Sequence, residues 1–266
     1  MTDQRLADRE LAWKRKPALR AIYTDIYARM AAHCLPGQTV EVGGGSSGFK
    51  EFAPRTIVTD VLFARWLDLV ADAACLPFRP RTVANIVMFD VLHHIEFPRR
   101  FFEDAARILV PGGRIVMAEP AITVASWPFY RFFHPEPLSM QADPLASRSP
   151  SSARDPFDAN QAIPTLLFGR DRQRFIATFP TLSIRSVTRL SLFAYPLSGG
   201  YRRWSLVPSS WVRPLLRIED RLLPMVGSLM AFRMLVVIQC SGDPPPRSAT
   251  APPAVRVHSL PTAWVV

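Results

Sequence analysis

A short β-type run that ends in a glycine-rich turn, Thr39-Val40-Glu41-Val42-Gly43-Gly44-Gly45-Ser46-Ser47-Gly48-Phe49, constrains this chain more than any other stretch. Glycines are needed where a backbone turns sharply after a strand and admits a ligand where a Cβ would clash. The residues after the turn, Phe49 to Phe52, can open a helix. Read literally, Gly43-x-Gly45-x-x-Gly48 fits a dinucleotide fingerprint, with Asp60 beyond it as an acid for a ribose. Glycine-rich turns are common, so the surrounding chain has to decide.

The surrounding chain alternates strand and helix. Near-continuous apolar runs at 39–43, 56–60, 67–71, 83–89 and 114–119 have the composition of strands buried on both faces. A helix is expected over 98–109, with proline at its start and Pro111-Gly112-Gly113 beyond its end. This is the pattern of a doubly wound, mostly parallel sheet, in which ligands bind at the carboxyl ends of the strands. Ahead of it, residues 9–35 carry apolar positions at Leu11, Leu19, Ile22, Ile26 and Met30 and read as one or two helices closed by Pro36-Gly37.

Five pieces in order then resemble the class I S-adenosylmethionine-dependent methyltransferases, in particular a small-molecule branch that includes quinone-biosynthesis enzymes. They are Glu41-Val42-Gly43-Gly44-Gly45, Thr59-Asp60-Val61, Ala71-Asp72-Ala73-Ala74-Cys75-Leu76-Pro77-Phe78, Phe89-Asp90-Val91-Leu92-His93-His94-Ile95 and Leu109-Val110-Pro111-Gly112-Gly113-Arg114. The departure is Ser47, where the family usually has a third glycine, with Gly48 one place later. The resemblance implies a Rossmann-like seven-stranded sheet with an inserted helical and aromatic cap, and S-adenosyl-L-methionine as cofactor. It implies that Glu41 reads the methionine end of that cofactor and that Gly43, Gly44 and Gly45 let the backbone approach. It places Asp60 and Val61 at the ribose, Asp72 and Ala73 at the adenine, and Phe89 facing cofactor and acceptor. An NAD-dependent oxidoreductase would account for the glycines and Asp60. It would leave Glu41, the Asp72 segment and Leu92-His93-His94 without roles, and a carboxylate at Glu41 would repel a pyrophosphate. A non-catalytic protein that binds the cofactor is a further alternative.

Residues 1–37 are expected as a helical lead-in, 38–120 as the cofactor-binding core and 121–181 as a lid over the acceptor. Residues 182–241 would hold the last two strands, near 182–190 and 232–239, around a pair of short apolar helices within 205–230. The tail, 242–266, is rich in proline, serine and alanine and is expected to be disordered. Methyl transfer is an in-line displacement in which the protein mainly holds donor and acceptor and excludes water. Where the acceptor is a hydroxyl, a base is needed, and His94, Glu119 and His134 are the candidates. No metal site is expected at His93-His94-x-Glu96, because adjacent histidines on a strand point opposite ways and no fourth ligand is evident.

The formal charge is +10, and all but Lys14, Lys16 and Lys50 of the 32 basic residues are arginines. They are spread out rather than interleaved with aromatics, so nucleic acid is not an expected partner. The basic, tryptophan-bearing segment 201–217 suits a membrane interface, and the run 127–133 an apolar acceptor pocket or a membrane contact. Ordinary burial would explain both. The amino end is charged, and the longest apolar run, 222–240, is broken by Pro224, Gly227 and Arg233. Three scattered cysteines without a CxxC fit a reducing compartment. The expected acceptor is a small organic molecule, apolar or lipid-linked and methylated on oxygen, and the expected location is cytoplasmic, at the inner face of the membrane where it touches one.

Overall fold

Apolar residues alternate between two cores along each central strand. Ile86 and Met88 of one strand, Ile115 and Met117 of the next, and Met234, Val236 and Ile238 of a third face one core. Val87, Val116, Ala118, Leu235 and Val237 face the other. Burial on both faces is why these strands read as unbroken apolar runs. The computed structural model describes residues 2–45, 48–147 and 154–241. The turn residues Ser46 and Ser47 and the tail 242–266 lie outside them.

The strands are β1 (Thr39–Val42), β2 (Ile57–Asp60), β3 (Leu69–Val70), β4 (Val83–Phe89), β5 (Leu109–Pro120), β6 (Leu182–Leu190) and β7 (Arg233–Cys240). They form one seven-stranded sheet in the order β3-β2-β1-β4-β5-β7-β6. Pairing is parallel from β3 to β5, and β7 runs antiparallel to both β5 and β6. The sheet is the Rossmann-like, mostly parallel one expected. β5 is longer than expected because Val110-Pro111-Gly112-Gly113 continues into the strand, with Gly112 at φ +81°.

Helices α1 (Gln4–Arg15) and α2 (Pro17–Ala32) lead in, and α2 buries Leu19, Ile22, Tyr23, Ile26, Tyr27 and Met30. The opposite face carries α3 (Arg99–Ile108), whose Phe101 and Phe102 are fully buried. The cap contains the short turns α4 (Ser126–Pro128) and α5 (Ile163–Thr165), then α6 (Arg172–Thr178). Each short turn runs on into a wide helical turn, Phe129–Phe133 and Leu166–Arg170 respectively. α7 (Ala194–Ser198) follows β6.

The expected pair of short helices within 205–230 is a single one, α8 (Ser209–Met230), with Pro214 and Pro224 inside it. A proline removes one helical N–H bond and crowds the preceding turn. Here both prolines sit on the exposed side, where water can take the freed carbonyl. α8 is held by its other side. Buried Glu219 accepts hydrogen bonds from the Phe193 and Ala194 amides at the start of α7, and Asp220 pairs with Arg29 of α2 at 2.8 Å. Among the described residues no helix is long and apolar enough to cross a membrane.

Candidate functional site

In the order β2-β1-β4-β5 the chain reverses direction of winding between β1 and β4, the point where open α/β sheets bind ligands. A cavity of about 370 Å³ opens there. Its one end is lined by Gly43, Gly45, Asp60, Val61, Asp72, Ala73 and Phe89. Asp60 ends β2, almost wholly buried, and accepts the Leu62 amide at 3.0 Å. Burial raises its carboxyl above the usual range, and that amide works against the rise. Asp72 is exposed and accepts the Ala74 amide at 2.8 Å, which shapes its turn. Phe89 ends β4, its ring 4.6 Å from Tyr23 and 5.0 Å from Tyr27.

Glu41 and Gly44 stand behind this wall rather than in it. Glu41 is 3% exposed, and its Oε2 has no hydrogen-bond partner. Burial pushes its carboxyl up to about 8, against the pull of the Lys50 ammonium. The three glycines leave no room for side chains. A Cβ at Gly43, where φ is +71°, would lie 2.3 Å from Val91, one at Gly44 2.2 Å from Val58, and one at Gly45 2.8 Å from Leu6.

The other end of the cavity is made by the segment after β4 and by the cap: His93, His94, Tyr130, His134, Glu136, Gln161 and Tyr195. Here three expectations change. His93 and His94 are not on a strand but on a one-turn 3-10 helix, Leu92–His94, which brings their rings within 4.3 Å of each other. Glu119 does not line the cavity. It is fully buried, its Oε1 accepts the Val91 and Leu92 amides at 2.9 and 2.7 Å, and its Oε2 pairs with His93 Nδ1 at 2.7 Å. It is therefore a positioning residue, and not a base open to an acceptor. Of the aromatic run 127–133, only Tyr130 enters the cavity, donating its hydroxyl to the Phe232 carbonyl at 2.7 Å. Trp127, Phe132 and Phe133 point out to solvent.

Glu136 is the hub that the sequence did not disclose. Its Oε2 lies 3.3 Å from His93 Nε2 and 4.0 Å from His134 Nδ1, its Oε1 4.0 Å from His94 Nε2, and it accepts a hydrogen bond from Gln161. Burial opposes a charge on His93, but the carboxylates on its two sides outweigh this and raise it to about 9. The same imidazole outweighs burial at Glu136 and holds it at about 2. His94 is pressed down to about 3 by burial and by the neighbouring His93. Burial lowers His134 as well.

Beside this cluster a buried ion pair joins two strands. Arg233, first residue of β7, is 1% exposed, and its guanidinium grips Asp90 through both nitrogens, Nη2 to Oδ2 at 2.8 Å. Asp90 holds a left-handed backbone at φ +57°. α1 roofs the cavity through Leu6 and Arg9, and Arg5 ties it to the cap by a fork to Asp155 at 2.7 and 2.9 Å.

Residues 40–117 match a family described as a methyltransferase domain. The chain is similar there to a methyltransferase domain, over less than a third of its length. That match favours the S-adenosylmethionine reading of the glycine turn over the dinucleotide one. The match does not single out the quinone-biosynthesis branch. The unpartnered Oε2 of buried Glu41 and the side-chain-free turn at Gly43, Gly44 and Gly45 fit S-adenosylmethionine at the switch point of the sheet.

No curated protein matches the sequence. Solved structures with a similar course include a geranyl diphosphate C-methyltransferase from Streptomyces coelicolor A3(2), 13% identical, covering 84% of this chain and 80% of that one at a TM-score of 0.47. The [4+2]-cyclase SpnF is 14% identical and covers 83% and 81% at 0.49. Phosphoethanolamine N-methyltransferase 2 of Haemonchus contortus is 12% identical and covers 82% and 53% at 0.45. Likeness at this level carries no information about the acceptor of the methyltransferase domain.

Proposed function

We propose that the cavity binds S-adenosylmethionine at its Asp60 end and a small organic acceptor at its Glu136 end, and that the acceptor is methylated on oxygen. The observation that carries this reading is the continuity of the cavity, one space lined by Gly43, Gly45, Asp60 and Asp72 on one side and by His94, His134 and Glu136 on the other. When bound, the cofactor supplies a methyl carbon on a sulfonium, a leaving group that needs no activation by the protein.

The chain's own part is holding, drying and proton removal. Asp60, desolvated and at a strand end, accepts from the two ribose hydroxyls, with Val61 beside it. Asp72 and Ala73 meet the adenine, and Phe89 forms the wall between cofactor and acceptor. The backbone at Gly43, Gly44 and Gly45 lies against the methionine part, whose ammonium Glu41 Oε2 takes as the partner it lacks. At the far end Tyr130, Tyr195 and Phe89 give an apolar bed that excludes water. Of the two imidazoles that line this end, His134 is the one placed to receive the hydroxyl proton, since His94 is pressed too low to hold it.

Calorimetric titration with S-adenosylmethionine, S-adenosylhomocysteine and NAD tests the cofactor end. Both adenosyl ligands are expected to bind, and Asp60→Ala to weaken them roughly 10- to 100-fold, the usual scale for losing hydrogen bonds to a charged group. Binding of NAD instead would overturn the proposal. Binding without turnover of any phenol, enol or alcohol would favour a non-catalytic protein.

The acceptor's apolar character has support on the surface. α8 exposes Trp211, Ile218, Met225 and Leu229 on one face, spaced by seven, seven and four residues, with Arg213, Arg217 and Arg221 exposed beside them. A lipid-linked acceptor reached from an anionic membrane surface fits this face. Vesicles containing anionic lipid are expected to sediment the protein, and Trp211→Ser with Met225→Ser to release it. Equal sedimentation of both forms would remove the membrane from the reading.

A further inference from the structure

We propose that His93, His94 and Glu136 bind a divalent first-row transition ion, such as zinc or cobalt(II), at the acceptor end of the cavity. One ligand atom from each of the three lies within 4.8 Å of the others, close enough for a small adjustment to bring all to one centre. The pieces come from two distant parts of the chain, the 3-10 turn after β4 and the cap segment that follows Phe133.

Three features make this more than a chance meeting of polar groups. The first is the orientation of His93. Its Nδ1 is fixed by Glu119 Oε2 at 2.7 Å, while Glu119 itself is anchored on the Val91 and Leu92 amides. A carboxylate on one ring nitrogen, with the other nitrogen facing a second carboxylate across a cavity, is the outer-sphere arrangement that orients metal-binding histidines.

The second feature is charge. Asp90, Glu119 and Glu136 are three carboxylates in one largely buried group, of which Asp90 is paired with Arg233. A divalent cation that takes the place of the His93 proton between Glu119 and Glu136 brings the group closer to neutral. The third is unfinished bonding. Gln161 is 2% exposed and donates to Glu136, yet its Oε1 has no partner, and His94 Nδ1 is likewise unpaired. A coordinated water would give Gln161 Oε1 a donor.

Two imidazoles and one carboxylate favour zinc, cobalt or iron(II) over magnesium or calcium, which prefer oxygen alone. Three protein ligands leave a position open towards the cavity, as catalytic sites do. In the methyl-transfer reading, on which this role rests, the open position holds the acceptor oxygen, and His134 at 4.0 Å from Glu136 remains to take its proton. The binding itself does not depend on that reading.

The test is titration of the metal-stripped full-length protein with cobalt(II) chloride, followed by visible d–d absorption and by metal analysis, with S-adenosylhomocysteine calorimetry on the same samples. One cobalt per chain is expected, displaced by zinc and not by magnesium. His94→Ala and Glu136→Gln are each expected to abolish it while adenosyl binding persists, which shows that the variants fold. Glu119→Gln should loosen the ion about 10- to 100-fold without removing a ligand. A protein that binds S-adenosylhomocysteine but takes up no cobalt, or whose cobalt survives in both ligand variants, would overturn the inference and leave the methyltransferase reading intact. Cobalt uptake without adenosyl binding would support the metal site and sink the cofactor assignment.

Discussion

Arg233→Ala is expected to lower the stability of the fold by about 3–5 kcal/mol, the cost of leaving a buried charge without its partner. Burial alone would push Asp90 towards its neutral form, but the Arg233 guanidinium outweighs this and holds the carboxyl below its usual range. The pair ties the end of β4 to the start of β7, and β7 is also zipped to β5 from Arg114↔Gln239 to Pro120↔Arg233. Its guanidinium also lies 4.0 Å above the Tyr195 ring, so truncation removes packing as well as charge. Urea unfolding measures the loss. The paired change Arg233→Met with Asp90→Asn is expected to recover most of it, because it removes both charges while keeping volume. A loss below about 1 kcal/mol for Arg233→Ala would show that the pair is solvated and holds nothing together.

The sheet was legible because its physics is local. Strands buried on both faces need unbroken apolar runs, and 83–89 and 182–190 were readable to the residue as β4 and β6. Arg233 looked only like a break in an apolar stretch, since its partner Asp90 is 143 residues away. α8 departs from the expected pair of helices for a related reason. Two prolines argue for two helices wherever the freed carbonyls would be buried, and which side of α8 meets water is settled by packing on α2, α7 and β6 rather than by the sequence of α8 itself.

The Gly43 and Asp60 end of the cavity was legible as a motif, because Gly43, Gly44, Gly45 and Asp60 fall where a strand end and its turn place them. The Glu136 end was not. The argument that adjacent histidines diverge holds for a strand, and His93-His94 lies on a 3-10 turn that keeps both rings together. Glu136 could not be assigned from spacing, since it reaches the site from a proline-rich cap of irregular structure. A signal existed in His134-Pro135-Glu136, a histidine and an acid two residues apart inside an aromatic run. Its meaning depended on where the cap folds back.

Glu41 should oppose stability and binding in a way that pH exposes. A carboxyl at about 8 in the folded protein, against an ordinary value of 4.5, binds protons more tightly folded than unfolded. Stability from this group is therefore fully present below about pH 4.5, falls as pH rises and is lost by about pH 8. Over that window the loss is on the order of 5 kcal/mol for an acid buried without a partner. Glu41→Gln should flatten the profile and make the free protein more stable at pH 8 than the parent. An ammonium from the cofactor reverses the preference, because it pairs with the ionised form. Binding of S-adenosylhomocysteine below pH 8 should then release up to one proton, read as a dependence of the calorimetric heat on buffer ionisation. Affinity should rise with pH up to about 8. In Glu41→Gln that release should vanish and affinity at pH 8 should drop, so one substitution stabilises the free protein and weakens its complex. A variant with unchanged affinity and unchanged proton release would show that Glu41 never meets the ligand and serves only to support the turn at Gly44.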